Sequence, residues 1–232
     1  MTSPYSRAPH RHIDPTEPPP NPPAFNVPPV TLGLTGLLTA IFAVLQVAGP
    51  GIRQSVLLWL SLIPIRISAA VEGWLGLESL LAAATLVTHA VLHLDLLHFL
   101  VNAGFLLAFG SAAERTMGAG RYGWLLLASA LGGAAAQLAV SWGDELVMFG
   151  ASGVVSGCMG GVVRLMLSRT APPRQRRTAL NLIGAFLLIN LLFALFGGGI
   201  MGVDADIAWA AHVGGFAAGF AVGRRRRLDI LI

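Results

Sequence analysis

Six long runs without a charged side chain are the feature that most constrains how this chain folds. A helix that crosses the ~30 Å hydrocarbon core of a bilayer needs about 20 apolar residues, within a range of about 17 to 25. Runs of this length predict an all-α polytopic membrane protein, with six transmembrane helices in one bundle. The six runs are residues 30–47, 96–113, 122–143, 146–163, 178–203 and 207–223.

The composition supports a membrane protein and excludes an ordinary water-soluble domain. Apolar residues make up 55% of the chain and charged residues only 11%, whereas soluble domains carry about 25% charged residues. The net charge of +4 comes with too little charged surface for a phosphate-binding face, so we expect no nucleic-acid partner. Since Cys158 is the single cysteine, an intrachain disulfide and a thiolate-cluster metal site are excluded.

The composition also divides the chain into three parts. Residues 1–29 hold most of the prolines and have no apolar period, which predicts a flexible Pro-rich cytoplasmic tail. Residues 30–223 contain the six predicted spans, and residues 224–232 form a basic cytoplasmic tail. Prolines and charges interrupt a hydrophobic connector, residues 48–95, which we expect to be partly helical and to lie in the membrane interface. A seventh span ending near Leu92 is the less favoured alternative.

The arginines predict the orientation in the membrane. All fifteen basic residues are arginine, and twelve of them fall on one side of a six-span topology. Because positively charged loops stay in the cytoplasm, both termini are predicted to be cytoplasmic. The N-terminal segment lacks the features of an organelle-targeting presequence. We therefore expect an integral protein of a bacterial plasma membrane.

A few polar side chains within the spans fall at one depth. Asn102 and His212 each lie roughly 18 Å, and Ser152 roughly 25 Å, from the cytoplasmic ends of their predicted helices at a helical rise of about 1.5 Å per residue. His98 is four residues before Asn102 and so shares its helical face. All of these groups fall in the outer half of a ~30 Å core. Polar groups are costly in hydrocarbon, so this shared layer indicates a functional site.

Small residues beside this layer predict close helix packing. Gly153 and Gly157 form a Gly-x-x-x-Gly pair in the fourth run, and Gly215 and Gly219 form another in the sixth. Such pairs let helix backbones approach closely in lipid. We therefore expect the fourth and sixth spans to bring the serine and the histidine within hydrogen-bond reach.

Together these side chains are of the types that a site for acyl transfer requires. Ser152 is a weak nucleophile until a base such as neutral His212 accepts its proton. His98, Asn102 and the Ser152 backbone N–H are candidate donors to an oxyanion. No acidic residue lies in these spans to orient the histidine, so the sequence predicts a catalytic dyad.

Four segments resemble the rhomboid family of intramembrane serine proteases, in family order. Residues 88–102 resemble its second-helix signature, and residues 114–118 resemble the segment that ends that helix. Residues 150–153 match its Gly-x-Ser-Gly motif, and residues 211–219 resemble its last-helix signature. Each match alone is weak, but four in order across residues 28–223 are specific.

The resemblance implies hydrolysis of peptide bonds in membrane-embedded protein substrates. It implies that Ser152 is the nucleophile and that His212 is the general base and acid. It also implies an oxyanion hole formed by His98, Asn102 and the Ser152 amide, with Gly150 letting the backbone shape the hole.

By the same resemblance, the fifth span and the loop with residues 197–199 act as gate and cap for the substrate. Two positions depart from patterns seen in relatives. Ala84 and Thr85 replace a Trp-Arg pair of the connector. Ser156 replaces a tyrosine that stacks on the catalytic histidine in some relatives. The departures concern connector anchoring and histidine orientation and leave the predicted dyad intact.

Other readings of these residues remain open. Each polar residue taken alone also fits a helix-packing role. His89 and His93 have metal-ligand spacing, but no carboxylate or cysteine completes a set, so we expect no metal or other cofactor. A catalytically inactive relative that binds membrane clients is the main alternative function. A small transporter is the second, although the sequence has no inverted repeat. The substrate and the oligomeric state are left undetermined.

Overall fold

The computed structural model describes residues 26–73, 76–93, 95–197 and 207–223. In these ranges the chain is almost entirely helical, and an isolated antiparallel bridge between Leu62 and Met148 is the only β-type pairing. The predicted all-α class is confirmed for the described residues. In chain order the helices are α1 (Pro29–Val47), α2 (Pro50–Leu60), α3 (Pro64–Gly73), α4 (Leu77–Thr88), α5 (Leu96–Phe105), α6 (Ser111–Met117), α7 (Ala119–Val140), α8 (Ser152–Met166), α9 (Pro173–Phe196) and α10 (Trp209–Val222).

Four helical segments are long and apolar enough to cross a bilayer. They are α1, α7, α9 and the continuous segment Leu96–Met117, in which the π-helical turn Leu106–Gly110 joins α5 to α6. The helices α8 and α10 have 15 and 14 residues and therefore rise only about 21 to 23 Å. They coincide with the fourth and sixth predicted spans, but neither reaches the ~30 Å of a hydrocarbon core by itself. The count of six spans therefore stays a prediction.

The fourth predicted span, residues 146–163, is wrong at its N-terminal end. Helix α8 begins only at Ser152. Met148 uses both its backbone N–H and its C=O in hydrogen bonds with Leu62, at 2.8 and 2.9 Å. Gly150 has a φ of +118°, which no α-helix contains. The uncharged run therefore includes a loop that composition alone does not reveal.

The other boundaries shift by less. Helix α9 begins earlier than the predicted run 178–203, because Pro173 occupies its first turn, where the missing N–H of proline costs no hydrogen bond. Helix α7 ends at Val140, before the predicted end at residue 143. Residues 198–206, with most of the predicted cap loop, lie outside the described residues, as do residues 1–25 of the predicted N-terminal tail and residues 224–232.

The connector contains three helices, α2, α3 and α4, and a 3₁₀ turn that extends α4 to Val91. The extended segment is one of the shorter apolar helices, as are α8 and α10, so the alternative of a seventh span stays untested. The first part of the connector is hydrogen-bonded to the segment before α8. Besides the bridge at Leu62, the Ile65 N–H donates to the Asp144 carbonyl at 2.9 Å. The connector therefore helps to position the segment that leads into α8.

Helix α10 packs with direct backbone contact between α7 and α8. The glycines of its second half face the glycines of α8, so that a Cβ on Gly215 would overlap the carbonyl oxygen of Gly153. A Cβ on Gly219 would meet the backbone of Gly157 in the same way. On the opposite face, Gly214 lies against the backbone of α7 at the same close range. The structure thus brings both predicted glycine pairs into contact.

Helix α1 is attached by one buried carboxylate. Glu114 of α6 accepts hydrogen bonds from the backbone N–H groups of Val30 and Thr31 at 3.0 and 2.7 Å, and from the Thr31 hydroxyl at 2.7 Å. These N–H groups belong to the first turn of α1 and have no acceptor within the helix. A negative charge at this end also complements the helix dipole. Glu114 therefore both caps α1 and fixes its position against α6.

Candidate active site

Ser152 and His212 meet where the first turns of α8 and α10 lie side by side. The serine is the first residue of α8, and the histidine lies in the first turn of α10. Their side chains are joined by a hydrogen bond of 2.8 Å between Ser152 Oγ and His212 Nε2. The glycine contacts between α8 and α10 bring the two helix backbones close enough for this distance. The pair has the geometry of a hydroxyl and the base that activates it.

The second ring nitrogen of His212 contacts a residue that the sequence reasoning did not select. His212 Nδ1 lies 3.0 Å from Oδ1 of Asn190, which is buried on α9. The Phe193 ring also packs edge-on against the imidazole, with ring centroids 6.2 Å apart. The prediction of a site with only a serine and a histidine therefore omits a polar neighbour. An amide side chain is costly in hydrocarbon, and this argument selected Asn102. The same argument could have selected Asn190.

The loop before Ser152 is held by hydrogen bonds from its backbone N–H groups to the connector. The Gly150 N–H donates to the carbonyl of His89 at 2.9 Å, and the Ala151 N–H donates to His93 Nε2 at 3.4 Å. A Cβ on Gly150 would lie 2.7 Å from the His98 ring, and the positive φ of this residue also favours glycine. Only glycine therefore fits between this ring and the start of α8.

His98 and Asn102 lie on one face of α5, as predicted. Asp95 caps this helix by accepting from the His98 N–H at 2.8 Å. The buried Asn102 side chain donates from Nδ2 to the His98 carbonyl at 2.9 Å, which leaves its second amide hydrogen for another acceptor. Since Ser152 is the first residue of α8, its N–H has no acceptor within the helix. The His98 ring lies against Gly150, two residues before the serine.

His93 is a neutral part of this framework. Burial lowers its pKa to about 4, and the neighbouring His98 acts in the same direction. The two rings pack edge to face with centroids 5.0 Å apart. A neutral imidazole offers one nitrogen as an acceptor, as the hydrogen bond from Ala151 requires. Among the residues that the structure describes, no group of three His, Cys, Asp or Glu side chains is arranged to hold a metal.

Comparison with known proteins gives a consistent set of relatives. Residues 80–227, more than half of the chain, match the family model of the Rhomboid domain. Over 191 residues the chain is 30% identical to rhomboid protease GlpG of Pectobacterium atrosepticum, which covers 82% of this chain and 60% of that protein. It is 32% identical over 195 residues to rhomboid protease GlpG of Yersinia enterocolitica, with the same two coverages of 82% and 60%.

A third relative matches over a shorter stretch. Rhomboid protease GluP of Bacillus subtilis is 31% identical over 139 residues, which is 60% of this chain and 26% of that protein. The chain thus spans about a quarter to three fifths of the length of these relatives.

The family match and the fold agree on the class of protein. The matched residues run from within α4 through α10 and so include Ser152, His212, His98 and Asn102. Four helical segments are long and apolar enough to span a bilayer, as expected of an integral membrane protein. The chain is an integral membrane protein that belongs to the rhomboid family.

Proposed function

We propose that this protein is an intramembrane serine endopeptidase that hydrolyses peptide bonds in or near the transmembrane segments of other membrane proteins. The observation that carries the proposal is the 2.8 Å hydrogen bond between Ser152 Oγ and His212 Nε2. Relatives that are about 30% identical and named rhomboid proteases support it. In this assignment Ser152 is the nucleophile and His212 is the general base and acid.

The first half of the reaction transfers an acyl group to the serine. His212 Nε2 accepts the Ser152 hydroxyl proton while Oγ attacks the carbonyl carbon of the scissile bond. The tetrahedral intermediate collapses when the protonated imidazole donates this proton to the leaving amine. The C–N bond breaks, and an ester to Ser152 remains.

The second half of the reaction releases the acyl group by hydrolysis. A water molecule gives one proton to His212 Nε2, and its oxygen attacks the ester carbon. The proton then passes to Ser152 Oγ as the C–O bond breaks, which restores the hydroxyl and frees a carboxylic acid. No cofactor enters either step.

The oxyanion of both intermediates needs hydrogen-bond donors that are already in place. We assign this role to the Ser152 N–H and the side chains of His98 and Asn102. Gly150 supports them by admitting the His98 ring at close range. Loss of one such donor costs about a hundred- to a thousand-fold in rate.

The proposed substrates are transmembrane proteins that approach from the bilayer. Of the four long helical segments, α9 is the least buried within the protein. We therefore place substrate entry beside α9, next to His212. We also propose that both termini lie in the cytoplasm, because twelve of the fifteen arginines fall on that side of a six-span topology. Reporter fusions to the two termini test this orientation, and a signal from the outside of the cell at either end contradicts it.

A fluorophosphonate probe tests the proposed chemistry directly. The probe forms a covalent bond only with a serine that a base has activated, so wild-type protein in detergent should be labelled. Ser152→Ala and His212→Ala should each abolish labelling and also cleavage of a reporter with a single transmembrane helix. Ser168→Ala, which removes a serine from the loop after α8, serves as the matched control and should be labelled like wild type.

Two results would overturn the assignment. Labelling that persists in Ser152→Ala would place the nucleophile elsewhere. Folded wild-type protein that is neither labelled nor able to cleave the reporter would favour the catalytically inactive, client-binding alternative.

A further inference from the structure

Helix α9 buries a single polar side chain at the point where it meets α10. Most of α9 faces outward, and its only buried side chains are Ala179 and Asn190. Asn190 is only 5% exposed, and one turn before it the Phe186 ring stacks on Phe216 of α10 with centroids 4.6 Å apart. A buried amide on a lipid-facing helix is costly unless its hydrogen bonds are made.

Both functional groups of the Asn190 amide have partners, and these partners fix its orientation. The Nδ2 group donates to the backbone carbonyl of Phe186 at 2.8 Å. A carbonyl oxygen accepts and cannot donate, so the nitrogen must point to Phe186 and Oδ1 must point to His212. The 3.0 Å contact between Asn190 Oδ1 and His212 Nδ1 therefore joins an acceptor to a ring nitrogen.

This orientation determines which imidazole nitrogen carries the proton. An amide oxygen only accepts, so His212 Nδ1 must be protonated to make the hydrogen bond. In the neutral ring, Nε2 is then unprotonated and presents its lone pair to Ser152 Oγ at 2.8 Å. This is the tautomer that a general base toward the serine requires.

We propose that Asn190 is a positioning residue that holds His212 in its reactive tautomer. Ser152, His212 and Asn190 then form one chain of hydrogen bonds across α8, α10 and α9. The inference rests on the proposed serine-protease function. Asn190 contacts neither substrate nor the reacting atoms and acts through the histidine. When His212 carries the second proton, the amide dipole stabilises the imidazolium without placing a negative charge in the bundle.

The groups that face His212 from each neighbouring helix leave Asn190 as the partner of Nδ1. Helix α8 contributes the Ser152 hydroxyl, and α9 contributes Asn190 and the uncharged Phe193. Helix α7 presents Gly132 and Gly133 to α10. Among the described residues, His98 of α5 is the titratable side chain that interacts electrostatically with His212.

Two substitutions separate positioning from packing. Asn190→Leu keeps the branching and the number of side-chain heavy atoms but removes the acceptor. We expect the rate constant for fluorophosphonate labelling at pH 7 to fall about ten- to a hundred-fold, the range of one buried hydrogen bond. The matched control is Asn181→Leu, at an exposed asparagine of the same helix. It should stay within about twofold of wild type, the range of a surface change.

The pH profile gives a readout that a packing role would not change. A carboxylate in Asn190→Asp stabilises the imidazolium, so deprotonation of the base needs a higher pH. The acidic limb of the labelling profile should move up by about one to three pH units. In Asn190→Leu the imidazolium loses an acceptor, so the acidic limb should move down. Shifts in opposite directions support positioning.

A spectroscopic measurement needs no variant at the asparagine. Nitrogen NMR of wild-type protein with ¹⁵N-labelled histidine distinguishes the two neutral tautomers, and His212→Ala identifies the signal of this residue. We expect proton attachment at Nδ1. Attachment at Nε2 would overturn the inference even if both asparagine variants failed to fold, as would a labelling rate in folded Asn190→Leu equal to that of wild type.

The experiments distinguish a failure of the inference about Asn190 from a failure of the proposed function. If wild-type protein is labelled and needs Ser152, but folded Asn190→Leu and Asn190→Asp keep its rate and its acidic limb, only the inference about Asn190 is wrong. If Ser152→Ala is still labelled, the proposed nucleophile is wrong, whatever the tautomer of His212.

Discussion

Helix α10 carries His212 and helix α9 contacts it, but the two helices are held in the bundle by different means. Helix α10 is fixed by backbone contact, since the space around Gly215 and Gly219 has no room for a Cβ. Helix α9 has no such contact around Gly184, where a Cβ would meet nothing within 4 Å. It is held at α10 by side chains, chiefly the Phe186 stack and the Asn190 hydrogen bond.

The difference separates two tasks within one site. The distance between the serine and the histidine depends on backbone packing, which allows little adjustment. The orientation of the imidazole depends on a side chain of a helix that is much less constrained. A displacement of α9 away from α10 would remove Asn190 from His212 while leaving Ser152 in contact. We therefore expect α10 to be required for the contact between Ser152 and His212, and α9 to control the reactivity of His212.

The largest effect should come from adding one methyl group to α10. In Gly219→Ala the Cβ meets the backbone of Gly157, which cannot move aside as a side chain can. We expect a loss of about 3 kcal/mol or more in stability, at or above the usual cost of overpacking, together with loss of probe labelling. Thermal unfolding in detergent measures the first, and Gly184→Ala on α9 is the control that should change little. Equal behaviour of the two variants would contradict the comparison.

A smaller loss should follow neutralisation of the carboxylate that holds α1. Glu114→Gln removes the charge that receives three hydrogen bonds from Val30 and Thr31. Hydrogen bonds to a charged group are worth about 1.5 to 3 kcal/mol, so we expect a stability loss of about 2 kcal/mol. Chemical or thermal unfolding measures it. Glu78→Gln, at an exposed position in the first turn of α4, should cost no more than about 0.3 to 1 kcal/mol. An equal loss in both variants would show that the charge alone matters.

Acidification should weaken the framework around the loop before α8. The pKa of His93 is about 4 in the folded protein because of burial, against an ordinary 6.5. Between these values the unfolded chain binds the proton and the folded protein does not, so stability falls as the pH drops from about 6.5 to 4. The loss at pH 5 should be about 2 kcal/mol at most.

The contribution of His93 can be isolated with a side chain that does not titrate. His93→Gln keeps an acceptor for the Ala151 N–H, so its stability should depend less steeply on pH across this window. Unfolding curves at several pH values measure the two slopes. Identical slopes of stability against pH for wild type and variant would show that His93 does not cause the pH dependence.

The smallest effect should come from the aromatic contact of α9. Phe186→Ala removes the stack on Phe216, and such a pair is worth about 0.5 to 1.5 kcal/mol beyond its buried area. We expect a modest loss of stability and slower probe labelling, because α9 then positions Asn190 less well. Leu187→Ala, at the next position on the outward face of the helix, should change neither quantity. Labelling at the wild-type rate in Phe186→Ala would mean that Asn190 alone holds the contact.

Much of the fold and part of the site follow from the sequence. The uncharged runs predicted the helical class, and the glycine spacing predicted that α8 and α10 approach closely. Ser152, His212, His98 and Asn102 were selected because each is polar at one depth of an apolar helix. All of these are local patterns, which one sequence contains in full.

The parts that escaped prediction depend on contacts between distant segments. The loop from residue 146 to Ala151 is as uncharged as a span, and its shape depends on Leu62, far earlier in the chain. Glu114 could be seen as part of a helix end, but its partners in α1 lie more than 80 residues away. Asn190 has two neutral partners, one of them in another helix, and no spacing rule connects it to His212.

The order of the helices along the chain has a consequence for biosynthesis. Ser152 stands at the start of α8, whereas His212 and the helix that carries it come last among the described elements. A chain under synthesis therefore contains Ser152 before His212, the proposed base, has been made. In the proposed mechanism, the serine stays an unactivated hydroxyl until α10 packs between α7 and α8. Under the proposed function, the close packing that the glycines of α10 allow is therefore also the step that completes the site.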